Sequence, residues 1–71
     1  MADVKSPMAG TIFELIAAVG DEVEEGDELV ILESMKMEIP VEAPNNGTVA
    51  ELHIAQGDQV QEGDVLVTLS D

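Results

Sequence analysis

The chain has no cysteine, tryptophan or tyrosine, one phenylalanine (Phe13), one histidine (His53) and two cationic side chains, Lys5 and Lys36. Without cysteine there is no disulfide framework and no thiolate metal site. His53 sits between Leu52 and Ile54 and reads as solvent-facing; one lone histidine is no basis for a Ser/His/Asp or metal site, and without cysteine there is no Cys/His set. No catalytic residue of the chain's own is therefore expected, and no metal ligand set. The acidic run "DEVEEGDEL" lacks the ligand register and downstream bidentate Glu of a calcium loop. No apolar run approaches the roughly 20 residues of a membrane span. The N-terminal "MADVKSPMAG" has no apolar core of a secretory signal, so a cytoplasmic location is expected. Two cations against 16 acidic residues give a formal charge of −14. Such a surface repels phosphate backbones and anionic lipid. Neither nucleic-acid binding nor membrane insertion is expected.

What is present is aliphatic. Hydrophobic residues make up 45% of 71 residues. A chain this short buries only about 60% of its unfolded surface, so one small domain spanning 1–71 is expected, held by apolar packing alone.

The chain is also written twice. "SPMAGTIFELIAAVGDEVEEGDELVILES" from Ser6 aligns without a gap on "APNNGTVAELHIAQGDQVQEGDVLVTLSD" from Ala43, an offset of 37. Pro7/Pro44, Gly10/Gly47, Thr11/Thr48, Gly20/Gly57, Asp21/Asp58, Gly26/Gly63, Asp27/Asp64 and Leu32/Leu69 are among the identities. Two copies are too few for a solenoid and suit a closed domain with pseudo-twofold symmetry. Each half reads as β: "GTIFEL", "ELVILE", "GTVAELHI" and "VLVTLS" are short strands, and Gly-Asp pairs punctuate them as turns. The helix-tolerant "LIAAV" is closed at once by Gly20. A sandwich or flattened barrel follows. Alternation puts Val30, Leu32, Val67 and Leu69 inward. The other face, with Leu29, Ile31 and Thr68, reads as less strictly buried.

"ILESMKMEIP" contains the anomaly. Alternating runs on both sides place Lys36 at a hairpin tip. A two-residue hairpin turn wants positive φ, hence Asn-Gly or Asp-Gly, but this tip is Ser-Met-Lys-Met-Glu. A local rule broken in an otherwise consistent sequence often marks function. A plain surface lysine between partly exposed methionines is the alternative. A nucleophilic lysine needs burial or a cationic neighbour; the sequence around Lys36 offers neither. Lys36 thus reads as a substrate, an amine presented to another enzyme.

At these residues the chain resembles the biotin carboxyl carrier domains of the biotinyl/lipoyl attachment family. The likeness runs from "VKSPMAGT" through "ESMKMEIP" to "EGDVLVTL". It implies an all-β flattened barrel of two four-stranded antiparallel sheets. It implies covalent biotin on Lys36 as cofactor, with Met35 and Met37 as flanking recognition residues. Glu33, Ser34 and Glu38 are candidates for recognition by a biotin protein ligase. The implied role is that of a non-catalytic carrier, shuttling a carboxyl group between biotin carboxylase and carboxyltransferase or decarboxylase sites. The ungapped halves leave no room for the protruding thumb of some acetyl-CoA carboxylase carriers. The chain is more similar to the thumbless carriers of pyruvate carboxylase, transcarboxylase, decarboxylase pumps and acyl-CoA carboxylases. Lipoyl carriers of 2-oxo acid dehydrogenases and of the glycine cleavage system share the fold, but usually have Asp and Ala where Met35 and Met37 stand. An unmodified interaction module is a third reading. The repeat offset maps Lys36 just beyond both chain ends, so Met1 and Asp71 are expected near each other, opposite the tip.

Overall fold

Eight strands follow one another in the computed structural model, which describes residues 1–70: β1 (Ala2–Lys5), β2 (Gly10–Leu15), β3 (Glu22–Val23), β4 (Glu28–Ser34), β5 (Met37–Glu42), β6 (Gly47–Leu52), β7 (Gln59–Val60) and β8 (Val65–Ser70). All pairings are antiparallel, in two four-stranded sheets ordered β1-β8-β6-β3 and β5-β4-β2-β7. Adding 37 to each residue number converts β2, β3 and β4 into β6, β7 and β8, and one sheet order into the other. The repeat is therefore a pseudo-twofold axis between the sheets. Among the described residues no helix is long and apolar enough to cross a membrane.

The core repeats in the same way. Ile12, Leu32 and Ile39 stand opposite one another in one sheet, and Val49, Leu69 and Ala2 in the other. The eight largest fully buried side chains are four symmetric pairs: Ile12/Val49, Leu29/Leu66, Val30/Val67 and Leu32/Leu69. At about 1.5–3 kcal/mol for each such side chain, these pairs dominate the apolar stabilisation.

Strict alternation fails at two of those pairs. Leu29 and Leu66 are fully buried beside Val30 and Val67, and Thr68 is buried as well. Register shifts explain the adjacent buried residues. The β4–β5 ladder slips between Glu28 and Val30, and β8 slips against β1 so that Lys5 meets Val65. A bulge inserts one residue and turns two successive side chains the same way. Ile31 is half-buried, as alternation predicts.

Four turns have one design. Gly20, Gly26, Gly57 and Gly63 have φ between 88° and 96°, a region that side chains with a Cβ resist. The Asp after each glycine donates its N–H to the carbonyl three residues back, and its carboxylate accepts the N–H of that same residue at 2.8–2.9 Å. "LIAAV" forms no helix. It leaves β2 and enters the first of these turns, where the Gly20 N–H donates to Val49.

β1 pairs with β8 so that Ala2 stands opposite Leu69. The two ends of the described chain are thus neighbours; Asp71 lies outside the described residues. β6 starts at this end, with Gly47 against Ser70, and its continuation reaches β7 beside Gly10, next to Ser34. The β4–β5 tip is therefore at the far end of a body 33 Å long and 18 × 17 Å across.

Candidate functional site

Ser34 and Met37 are the last paired residues of the β4–β5 ladder, leaving Met35 and Lys36 as a two-residue turn. Their φ values are 52° and 64°. Both central residues of such a turn need positive φ to match the twist of the flanking strands. Among the described residues these are the only non-glycine positions with positive φ. The steric cost is about 1–2 kcal/mol per residue, and nothing in the turn relieves it. The rest of the hairpin holds it in place, through six matched pairs from Glu28–Glu42 to Ser34–Met37.

The tip stands clear of the body. Met35 is 91% exposed, Met37 58%, and Lys36 is exposed between them. Among the described residues the Lys36 amine has no ion-pair or hydrogen-bond partner. Glu33 and Glu38 face each other one pair below the turn, both exposed, and Ser34 is half-buried. All six residues singled out from the sequence thus form one continuous hairpin end. Lys5, the other lysine, lies on β1 in the other sheet.

Gly10 is a supporting residue that sequence reasoning did not single out. A Cβ there would stand 2.8 Å from the Glu33 carbonyl oxygen and 3.5 Å from the Ser34 Cβ. Only glycine lets β2 approach β4 directly beneath the tip. The available signal was the Gly10/Gly47 identity: Gly47 makes the same approach to Ser70, with a Cβ distance of 2.5 Å from its carbonyl oxygen. A shallow groove beside the tip is lined by Gly10, Thr11, Glu33, Ser34 and Met35. It is open, so a group attached to the amine is free to swing. An exposed, unpartnered primary amine on a rigid turn fits covalent attachment of a carboxylic acid as an amide.

Residues 2–69 match the family model described as biotin-requiring enzyme. The chain belongs to the biotinyl/lipoyl family. The biotinylated protein TB7.3 homologue of Mycolicibacterium smegmatis is 51% identical over 39 residues, covering 55% of each chain. The match therefore spans about half the length of the curated relatives. In the solved structure of Kluyveromyces lactis urea carboxylase, a segment amounting to 6% of that chain superposes on 97% of this one, with TM-score 0.92 and 36% identity. The lipoyl domain of the 2-oxoglutarate dehydrogenase complex from Azotobacter vinelandii superposes over 100% of this chain and 98% of its own, with TM-score 0.83 and 27% identity. A segment of a urea carboxylase and a lipoyl domain thus share this backbone.

Proposed function

We propose that residues 1–71 form a single biotin carrier domain with Lys36 as the attachment site. The observation that carries this reading is the turn itself: two non-glycine residues at positive φ hold an unpartnered amine at the far end of the body. A biotin protein ligase supplies an activated carboxyl group. The Lys36 amine loses a proton and attacks that carbon, an amide C–N bond forms, and the activating group leaves. Met35 and Met37 give the ligase a soft apolar grip on each side, with Glu33, Ser34 and Glu38 below it. Biotin, once bound, supplies the chemistry of carrying a carboxyl group between two active sites. The chain supplies attachment, presentation and a high effective concentration. It is a non-catalytic partner of biotin carboxylase and of a carboxyltransferase or decarboxylase, and a cytoplasmic location fits that role. The biotinylated relative and the urea carboxylase segment support biotin; the methionines flanking Lys36 favour it over lipoate.

Intact mass after incubation with purified biotin protein ligase, biotin and ATP tests the assignment. One biotin per chain is expected. Lys36→Arg removes it and Lys5→Arg does not. A parallel incubation with lipoate ligase is expected to give little adduct. Biotin on Lys5, no biotin at all, or preferential lipoylation would overturn the proposal.

A further inference from the structure

The pseudo-twofold axis repeats a surface groove as well as the core. The groove beside the tip runs from Met35 over Gly10 to Gln59, Val60 and Gln61. Shifted by 37 residues, Gly47, Glu22, Val23 and Glu24 line a second groove at the opposite end of the body. The frame is the same in both. Gly10 and Gly47 each pass close to a carbonyl oxygen, and Val60 and Val23 are buried. The residues around that frame differ. Glu22 and Glu24 become Gln59 and Gln61. Asn46, whose Oδ1 accepts the Glu25 N–H at 2.8 Å, becomes Ala9, which cannot make that bond.

The backbone does not require the amides. β3 pairs with β6 as β7 pairs with β2, and the same Asp-locked turn follows both. The chain has 16 acidic residues, yet its glutamines are confined to Gln56, Gln59 and Gln61. Charge is thus removed in the one segment that the fold brings beside the lysine-bearing turn. Among the described residues neither the Gln59 nor the Gln61 side-chain amide has a hydrogen-bond partner. A carboxylate only accepts hydrogen bonds, whereas a Gln amide also donates. The tip groove therefore gains free N–H donors that Glu22 and Glu24 cannot supply, and Glu33 in the same lining is an acceptor. Its volume, about 380 Å³, is that of a small-molecule site. A neutral cyclic urea, with one carbonyl acceptor and two N–H donors, matches this set. The ring of biotin is such a urea, and Lys36 would tether it next to Met35, at the mouth of the groove. Tethering raises its effective concentration there, so a weak site suffices. An open groove also releases the arm readily.

We infer that Gln59 and Gln61 form a resting site for the ring of biotin carried on Lys36, their amide N–H groups donating to the urea carbonyl while Glu33 accepts from the urea N–H groups. The inference rests on the carrier function proposed above. The test needs no enzyme beyond the ligase. Isotope-labelled chain is loaded with biotin, checked by intact mass, and read by NMR for nuclear Overhauser contacts between the ring protons and the chain. Contacts are expected to Gly10 and to the side chains of Gln59 and Gln61, and none to Gly47 in the opposite groove. Gln59→Glu with Gln61→Glu installs the residues of that opposite groove. Both sites are exposed and the same turn already carries Glu in the other half, so the variant is expected to melt with the wild type; if it does not, Gln59→Glu alone replaces it. The ring contacts to Gly10 are expected to be lost in the variant. A loaded wild-type chain whose ring touches none of these residues overturns the inference, and so does a variant that keeps the Gly10 contacts. A chain that the ligase leaves unloaded would instead overturn the carrier function itself, a separate failure seen by mass before any contact is measured.

Discussion

Among the described residues five tight turns use positive φ, and they do so in two ways. The four Gly-Asp turns place glycine where φ is positive and lock the turn with the following Asp carboxylate. The fifth turn, at Met35-Lys36, has neither glycine nor a locking carboxylate. At the Gly-Asp turns the side chains serve the backbone. At the tip the backbone is held in a costly conformation so that particular side chains can stand there. On the function proposed above, that contrast separates residues that serve folding from residues that serve presentation.

The largest expected effect compares the two ends of the body. Gly10→Ala and Gly47→Ala each force a Cβ against a carbonyl oxygen, at 2.8 Å and 2.5 Å. Each is expected to cost about 1–3 kcal/mol by denaturant unfolding, as overpacking does, with Gly47→Ala the larger. Only Gly10→Ala is expected also to slow biotin loading, because Glu33 and Ser34 lie directly against it. Equal loading rates in the two variants would remove the supporting role given to Gly10.

Converting the fifth turn to the chemistry of an ordinary hairpin sharpens the contrast next. Met35→Asn with Lys36→Gly relieves part of the strain at both positions, offset by glycine's own entropic cost, and is expected to raise stability by about 1–2 kcal/mol. Modification is lost completely. A chain no more stable than the wild type would show that the tip stores no such cost.

A smaller loss is expected on unlocking one of the other four. Asp21→Ala removes the acceptor for the Ala18 N–H, which lies 2.9 Å from the carboxylate. The expected cost is about 0.5–1.5 kcal/mol, seen as a lower thermal midpoint, with no change in loading at the distant tip.

Least effect on stability is expected from Met35→Asp with Met37→Ala. Both side chains are largely exposed, and exposed changes usually stay within about 0.5 kcal/mol. Biotin loading is expected to fall and lipoate loading to appear. Unchanged kinetics with both ligases would mean that the methionines do not set the cofactor.

Much of this was legible before any coordinates. The four sequence-read strands are β2, β4, β6 and β8, with β6 ending at Leu52 and not at the Ile54 read from "GTVAELHI", and the Gly-Asp turns fall where they were read. Two-residue strands such as β3 and β7 were not legible, because two residues carry no alternation. Nor was β1, which becomes a strand only by adding to the edge of β8. Leu29 and Leu66 escaped because a bulge, set by how two strands fit, overrides parity along one strand. At the tip, Lys36 and both methionines were legible because they break a local rule. Gly10 was not, because its constraint comes from the Glu33 carbonyl, a residue 23 positions away.

By itself the sequence determined the repeat, the β character, the turns and the residue that stands at the tip. These depend on neighbours along the chain or on a self-comparison, and both are readable in one dimension. Only the tertiary structure decided which carbonyl Gly10 must approach, and that the buried Thr68 hydroxyl meets both Asp3 and His53. Each is a juxtaposition of residues far apart in the chain, and it has no energy until the strands that carry them have paired.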